Sequence, residues 1–299
     1  MSEERIGFVG LGMMGMPMSR NLVEAGYAVT VFDLDGAAID QALTFGASSA
    51  STGSEVAAQS GIIITMVPDS PHVEAAIAGP DGILEGVMAG SVVIDMSTIS
   101  PATGKKMAAL LEEKSVNFVD APVTGGVEGA EAGTLSILVG GNAEAFERTL
   151  PVLNVLGGNV THMGPVGSGH TTKIANQLIG VATLAGISEA FVLAKKAGLD
   201  LQLFFDAVKN GAGRSWALET LGPKILKGDF SPGFMVKHMQ KDLRLAAQLA
   251  ADTGTSIPTT SLIAQLYHSI QAEGPDATSQ GHQALIQAIE KLSNAEARA

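Results

Sequence analysis

The sequence of 299 residues contains no cysteine, and only 18 lysines and arginines stand against 30 aspartates and glutamates. Without cysteine the chain has no disulfide framework, thiolate zinc site, iron–sulfur cluster or cysteine nucleophile. A formal net charge of −12 opposes the phosphate backbone of nucleic acid, so we expect no nucleic-acid partner. Because charged residues make up 16% and hydrophobic residues 46% of the chain, the composition indicates a globular protein.

The start of the chain and the lengths of its apolar runs predict a cytoplasmic protein without a membrane span. Residues Met1–Glu4 are acidic where a secretory signal is basic, and Ile6–Val9 is too short for the hydrophobic region of such a signal. No stretch has the ~18–20 uninterrupted apolar residues that cross a bilayer. At ~100–200 residues per domain, the length predicts two domains.

Short apolar runs alternate with helical patterns over the first half of the chain. Continuous apolar runs bounded by Gly, Pro, Asp or Asn are typical of parallel strands that are buried on both faces. We predict strands at Ile6–Val9, Val29–Phe32, Ile62–Val67, Val92–Ile94, Phe118–Val119, Ser136–Val139 and Val160–His162, and helices at Pro17–Ala25, Val73–Ile77 and Thr103–Lys114. This alternation predicts a doubly wound α/β domain over residues 1–164.

After the turn cluster Gly164–Gly169 the pattern becomes helical. Residues Thr171–Lys196 are apolar almost all round and contain no proline, which predicts a long helix that is buried on most sides and contributes to a subunit interface. Further helices are predicted at Leu201–Lys209, Trp216–Leu221, His238–Ala251, Ser261–Glu273 and Gln280–Leu292. We therefore predict an all-α domain over residues 165–299 and a homodimer or homotetramer.

The segment Gly10–Gly15 is a G-x-G-x-x-G that follows the first predicted strand and opens a helix. In that context the pattern indicates a Rossmann-type dinucleotide loop rather than a strand–turn–helix with incidental glycines. Gly10 allows the tight turn, Gly12 lets backbone N–H groups approach a pyrophosphate, and Gly15 permits close helix–strand packing. The predicted cofactor-binding residues here are Gly10, Leu11, Gly12, Met13, Met14, Gly15 and Asp33.

Asp33 decides which dinucleotide we expect. It ends the second predicted strand, 18 residues after Gly15, where a carboxylate accepts hydrogen bonds from the ribose hydroxyls and repels a 2′-phosphate. No arginine stands among Leu34, Asp35 and Gly36 to reverse that preference. The sequence therefore predicts NAD rather than NADP.

Five segments in matching order give the chain a resemblance to the β-hydroxyacid dehydrogenases, the family of 3-hydroxyisobutyrate dehydrogenase and tartronate semialdehyde reductase (2-hydroxy-3-oxopropionate reductase). The segments are Gly10–Met18, Asp95–Pro101, Asp120–Gly126, Gly167–Gln177 and Lys241–Leu243. The resemblance covers nearly the whole chain and implies a two-domain dehydrogenase. In the family an Asn commonly stands four residues after the catalytic lysine. Here that place holds Gln177, as in the tartronate semialdehyde reductase branch.

The resemblance implies that Lys173 is the catalytic residue, with Asn176 and Gln177 holding the substrate or orienting the lysine. A lysine serves as general acid and base if its pKa falls from ~10.4 toward ~7–8. Burial, the positive helix N-terminus near Gly169 and the positive nicotinamide each lower that pKa. The alternative for Lys173 is a salt-bridged lysine on an apolar helix. The six histidines show no metal-binding spacing, so no metal is predicted.

The remaining site residues come from loops that follow predicted strands. Thr124, Gly125 and Gly126 are expected to form a turn whose N–H groups bind a substrate carboxylate, with an ordinary Gly-Gly loop as the alternative. The predicted cofactor contacts are Val67, Pro68, Thr98 and Lys241. For Lys241 the alternative is a solvated cation on a helix surface. Phe234 is expected to close over the nicotinamide.

These residues predict an NAD-dependent oxidoreductase that transfers hydride between nicotinamide and a small 3-hydroxy acid or its semialdehyde. Tartronate semialdehyde with glycerate and the 3-hydroxyisobutyrate pair are the preferred substrate types. The alternatives are a succinic semialdehyde or glyoxylate reductase, an L-serine dehydrogenase, and a dinucleotide-binding sensor without chemistry, because a fold alone does not imply a function. The presence of Lys173 argues against the sensor.

Overall fold

The structure, a computed structural model, describes residues 4–299 except the side chain of Pro275. Residues 1–3, part of the acidic start that predicts no secretory signal, lie outside the described residues. The chain divides into two compact units, the first ending at Ile174 and the second spanning Ala175–Ala299. This division falls ten residues after the predicted domain boundary at residue 164, because the first residues of a long helix belong to the first unit.

The first unit is built on one sheet, to which the described residues contribute nine strands. They are β1 (Arg5–Val9), β2 (Ala28–Phe32), β3 (Ser48–Ser49), β4 (Ile62–Thr65), β5 (Val92–Asp95), β6 (Asn117–Asp120), β7 (Val123–Thr124), β8 (Leu135–Gly140) and β9 (Gly157–Gly164). The strand order is β3-β2-β1-β4-β5-β6-β8-β7, with β9 also paired to β8. Strands β1 to β6 pair with one another in parallel, and β8 is antiparallel to β6 and β7.

Helices connect these strands. They are α1 (Gly15–Glu24), α2 (Gly36–Leu43), α3 (Gly53–Ala58), α4 (Ser70–Ala78), α5 (Ile83–Gly86), α6 (Pro101–Glu112), α7 (Gly126–Ala132) and α8 (Ala143–Leu156). The fold is therefore the predicted doubly wound, Rossmann-type sheet. The order reverses between β1 and β4, where open α/β sheets bind their ligands at the carboxyl edge.

Strand β4 shows why continuous apolar runs predicted this sheet. Ile62 and Ile64 pack into the cluster that contains Phe8 and Leu22, and Ile63 packs into a second cluster on the other face. All three isoleucines are fully buried, so both faces of the strand are covered. The observed strand ends at Thr65, two residues before the end of the predicted run Ile62–Val67.

The second unit is helical. The long helix α9 (Ser168–Lys196) begins in the first unit and is followed by α10 (Leu201–Val208), α11 (Trp216–Leu226), α12 (Val236–Thr253), α13 (Pro258–Gln271) and α14 (Leu285–Ser293). The predicted helix Gln280–Leu292 began too early, since 282–284 form a 3₁₀ turn before α14. The side chains of Phe191, Leu221, Ile225 and Tyr267 form the centre of this unit's apolar cluster.

Helix α9 is only partly buried within a single chain. By length and composition alone it is apolar enough to cross a membrane, with a mean hydropathy of 1.6 over an 18-residue window. Within one chain 44% of that window is buried, so the burial that the sequence predicts on most sides is not made within the chain alone. Ile179 and Leu193 are each 71% exposed.

The segment around Phe234 in the second unit is fixed by His282. The backbone N–H of His282 donates a 2.7 Å hydrogen bond to the Phe234 carbonyl, and its ring Nδ1 lies 3.2 Å from the same oxygen. The Tyr267 hydroxyl donates to the His282 carbonyl at 2.8 Å. Burial lowers the pKa of His282 from 6.5 to about 4, although the Phe234 carbonyl opposes that shift. His282 is therefore neutral in the folded protein near pH 7.

This histidine makes the stability of the protein depend on pH. Between pH 6.5 and about 4 the unfolded chain binds a proton at His282 that the folded chain does not, so stability falls as the pH is lowered through this range. The full effect is roughly 3 kcal/mol, at about 1.36 kcal/mol per pKa unit. Urea unfolding at several pH values gives the free energy of unfolding as a function of pH. This free energy should change less steeply with pH for His282→Gln than for the wild type. Equal slopes would contradict this assignment.

Candidate active site

The glycine-rich loop lies between β1 and α1, at the point where the strand order reverses. Gly10 has φ +101°, and its N–H donates a 3.0 Å hydrogen bond to the Phe32 carbonyl. A Cβ at Gly15 would overlap the Gly10 carbonyl oxygen and lie 3.1 Å from Phe8. Gly10 therefore makes the turn and Gly15 allows the close packing, whereas a Cβ at Gly12 would meet no atom within 4 Å.

The residues of this loop fit a dinucleotide pyrophosphate. No side chain caps the first N–H groups of α1, and no acidic residue stands in its first turn. The partial positive charge of this helix end is therefore available to an anion. Beside it is a cavity of about 700 Å³, lined in part by Leu11, Gly12 and Met13. The open space at Gly12 lets an anion approach the backbone.

Asp33 joins the loop to the turn after β2. Its Oδ2 accepts a 2.5 Å hydrogen bond from the Leu11 N–H, and its Oδ1 accepts one of 2.8 Å from the Asp35 N–H. Asp35 and Arg20, which are not among the predicted cofactor contacts, both line the 700 Å³ cavity. The Arg20 guanidinium lies 5.2 Å from the centre of the Phe45 ring. Arg20 stands on α1 rather than directly after β2, so strand-end spacing gave no sign of it.

The loops after the central strands meet at one edge of the sheet. Val9 pairs with Thr65, Thr65 with Asp95, and Asp95 with Asp120, so these strand ends lie side by side. The Val67 N–H donates to the Ser97 hydroxyl at 3.0 Å and joins the loops after β4 and β5. The predicted cofactor contacts Val67, Pro68 and Thr98 stand in these two loops.

The predicted carboxylate-binding turn follows β7. Thr124 ends this strand and is half-buried. Gly125 and Gly126 have φ angles of +135° and +67°, which glycine adopts far more readily than other residues. No side chain caps the first N–H groups of α7, which begins at Gly126.

Lys173 is buried in the first unit, 6% exposed, one turn into α9. The Asp120 carboxylate holds the start of this helix, accepting hydrogen bonds from the N–H groups of Gly167 (2.7 Å) and His170 (2.9 Å). The positive helix end expected near Lys173 is therefore capped by the Asp120 carboxylate.

His170 was not selected from the sequence, yet it lies at the centre of this region. It is fully buried, and its Nε2 lies 3.1 Å from Oδ2 of Asp95. Its Nδ1 lies 3.6 Å from Oδ2 of Asp120. The Thr65 hydroxyl donates to Asp95 at 2.7 Å. Asp residues that end two neighbouring predicted strands were a signal for this cluster.

In the second unit the predicted residues Gln177 and Lys241 both contact Asp242, and Asn176 is joined to Gln177. The Gln177 amide nitrogen donates to Asp242 at 2.7 Å, and the Asn176 amide nitrogen donates to the Gln177 oxygen at 3.2 Å. The Lys241 ammonium lies 3.1 Å from the other oxygen of Asp242. Asp242 is 1% exposed. It belongs to the segment Lys241–Leu243, but it is not among the predicted site residues.

Within residues 4–299 the structure contains no group of three His, Cys, Asp or Glu side chains arranged to hold a metal ion. The candidate residues carry hydroxyls, a lysine and paired carboxylates in the first unit, and two amides, a lysine and a carboxylate in the second.

Comparisons with known proteins agree with this architecture. A family model described as the NAD binding domain of 6-phosphogluconate dehydrogenase matches residues 5–164. A second, described as NAD-binding of NADP-dependent 3-hydroxyisobutyrate dehydrogenase, matches residues 167–289.

Full-length relatives agree with the family models. The chain is 40% identical to 2-hydroxy-3-oxopropionate reductase of Escherichia coli (strain K12) over 97% of this chain and 98% of the relative. It is 37% identical to NAD-dependent L-serine dehydrogenase of Pseudomonas aeruginosa over 91% and 93%. The structure of Mycobacterium tuberculosis 3-hydroxyisobutyrate dehydrogenase with L-serine matches with a TM-score of 0.88 and 36% identity, over 96% of this chain and 99% of that one. The chain therefore belongs to the β-hydroxyacid dehydrogenase family, and its cofactor is a nicotinamide dinucleotide.

Proposed function

We propose that the protein is an NAD-dependent oxidoreductase that transfers hydride between nicotinamide and a small 3-hydroxy acid or its semialdehyde. The observation that supports this most strongly is the burial of Lys173 on a helix whose first turn is tied to Asp120 at the carboxyl end of β6. Strand pairing places that end beside the loops predicted to bind the cofactor. A buried lysine at a ligand-binding sheet edge has the chemistry of a general acid and base.

A bound nicotinamide supplies the hydride in reduction and takes it back in oxidation. In reduction the Lys173 ammonium donates a proton to the carbonyl oxygen of the semialdehyde as the carbon gains its hydride. In oxidation the neutral amine of Lys173 takes the hydroxyl proton. The N–H groups of the turn Thr124–Gly126 hold the carboxylate and so keep the reacting carbon at a fixed distance from Lys173.

Asn176 and Gln177 have different tasks in this proposal. Gln177 donates to the buried Asp242 and accepts from Asn176, so both ends of its amide are engaged within the second unit. We assign substrate contact to Asn176 and orientation of Asn176 to Gln177. Lys241, paired with Asp242, is assigned to the cofactor.

Lys173→Ala tests the assignment of the proton-exchanging group. NAD⁺ reduction with D-glycerate, 3-hydroxyisobutyrate, L-serine and 4-hydroxybutyrate identifies the preferred substrate, with highest kcat/KM expected for D-glycerate or 3-hydroxyisobutyrate. A preference for L-serine or 4-hydroxybutyrate would favour a dehydrogenase for that substrate. With the preferred substrate, kcat should fall by at least ~10²-fold, the scale of general acid–base catalysis. The Kd for NAD should not change.

The matched control is Lys114→Ala, since Lys114 is exposed after the end of α6. It should keep wild-type turnover. If Lys173→Ala keeps near-native kcat, Lys173 is not the general acid and base. If none of the four substrates reduces NAD⁺, the proposed substrate class is wrong.

Asp33 supports NAD as the preferred dinucleotide. Its carboxylate, fixed by Leu11 and Asp35, would repel a 2′-phosphate on the adenosine ribose. The wild type should therefore use NADH with a kcat/KM at least roughly tenfold above that for NADPH, which corresponds to about 1.4 kcal/mol. Asp33→Asn should reduce this ratio, because the amide keeps one acceptor for the loop but has no charge. Equal efficiency of the wild type with both cofactors would contradict the assignment.

We also propose that the protein is a homodimer or homotetramer that uses the exposed face of α9. This face carries Ile179, Gly186, Ala190 and Leu193, so it lacks charge over more than three turns. The variant with both Ile179→Lys and Leu193→Lys should sediment with a lower mass than the wild type. The control Leu292→Lys changes a residue on α14 that is 76% exposed, and should keep the wild-type mass. A monomeric wild type would overturn the proposal.

A further inference from the structure

We propose that His170 is a positioning residue for Lys173. Held between Asp95 and Asp120, its imidazole fixes the first turn of α9 on the sheet and thereby fixes the lysine one turn further along. This inference rests on the proposed function, in which Lys173 exchanges the proton with the substrate. His170 itself touches neither reacting atom in this proposal.

His170 is attached directly to the ends of two strands. Its Nε2 hydrogen donates to Oδ2 of Asp95 at the end of β5, over 3.1 Å. Its backbone N–H donates over 2.9 Å to Asp120 at the end of β6. Its Nδ1 lies 3.6 Å from the same oxygen of Asp120, beyond hydrogen-bond range but within ion-pair range. One residue of the helix thus contacts two neighbouring strands.

Three glycines leave space for the cluster of Asp95, Asp120 and His170. A Cβ at Gly104 on α6 would lie 2.9 Å from Nδ1 of His170. A Cβ at Gly140 on β8 would overlap Asp120, and one at Gly169 would overlap the backbone oxygens of Leu138 and Asp120 and lie 2.9 Å from Oδ2 of Asp120. Three elements approach the cluster closely only because these positions lack side chains.

The cluster brings two buried carboxylates together beside the imidazole of His170. Asp95, Asp120 and His170 are all fully buried. Buried carboxylates are stable only when hydrogen-bonded or paired with positive charge. Asp95 accepts hydrogen bonds from Thr65 and His170, and Asp120 accepts them from the N–H groups of Gly167 and His170. His170 lies against both carboxylates and is a side chain that can carry a positive charge. Its place between them is therefore strongly specified.

The backbone of α9 connects His170 rigidly to Lys173. Residues three apart in a helix are neighbours on one face, and both side chains are buried in the first unit. A shift of the first turn therefore moves the lysine. A misplacement of about 1 Å at a reacting group can cost ~10²-fold in rate.

The test compares His170→Leu, which removes both ring nitrogens, with His170→Gln, which keeps one N–H donor for Asp95. Rates are measured with the preferred substrate of the four-substrate panel and are divided by the concentration of NAD-binding sites. We expect kcat to fall about 10- to 100-fold in His170→Leu and less in His170→Gln, with an unchanged Kd for NAD. With deuterium at the carbinol carbon of the substrate, the isotope effect on kcat should be larger in His170→Leu than in the wild type, because the chemical step becomes slower.

A double-mutant cycle with Lys173→Ala separates positioning from a general loss of structure. If His170 acts through Lys173, adding His170→Gln to Lys173→Ala lowers kcat little further. Full additivity of the two effects, or a wild-type kcat and isotope effect in His170→Leu, would overturn the inference. An active Lys173→Ala would instead contradict the proposed function.

Two further measurements complete the test. His72→Gln changes an exposed histidine on α4 and should leave kcat and the isotope effect unchanged. Hydrogen exchange over residues 167–174 should be faster in His170→Gln than in the wild type. If His170→Leu does not fold, His170→Gln and the exchange data decide, and unchanged exchange with unchanged kcat would refute the inference.

Discussion

The position of the candidate catalytic lysine depends on the carboxylate of Asp120. It stands at the end of β6 and accepts hydrogen bonds from two N–H groups at the start of α9. A carboxylate at a helix N-terminus satisfies N–H groups that have no partner within the helix, and it interacts favourably with the helix dipole. The carboxyl end of β6 therefore forms part of the sheet edge and also fixes the start of α9, the helix that carries Lys173.

The acidic character of the chain contrasts with the ligands that its family binds. A dinucleotide and a carboxylate are anions, whereas the formal net charge is −12. Binding must therefore rely on short-range groups, since salt screens charges beyond about 8–10 Å. The uncapped N-terminus of α1 is such a group. The N-terminus of α9 is not, because Asp120 occupies it. The net charge therefore argues against nucleic acid as a partner but says little about the site.

The sequence predicted those parts of the fold and site that are local. The strands β1, β4 and β5 were predicted because they are short apolar runs, and the loop Gly10–Gly15 because all its determinants lie within six residues. The exposed two-residue strand β3 has no such pattern and was not predicted. Helix α8 was also not predicted. It contains Pro151 in its interior, and proline normally ends a helical pattern.

The parts of the site that were not predicted depend on contacts between distant residues. Gln177 meets Asp242 across 65 positions, and His170 meets Asp95 across 75. Such pairs become visible only when the topology is known, because no local spacing relates them. The resemblance to the family placed these segments in order, but it did not specify which of their side chains bond to each other.

The glycines around His170 and Asp120 also constrain how this chain can change in evolution. Gly104 leaves room for the His170 side chain and Gly140 for that of Asp120, so a larger residue at either of them requires a simultaneous change in the cluster. Single substitutions at these positions are therefore expected to be harmful where paired ones are tolerated. The cluster is an epistatic unit, in which the history of each position depends on that of the others.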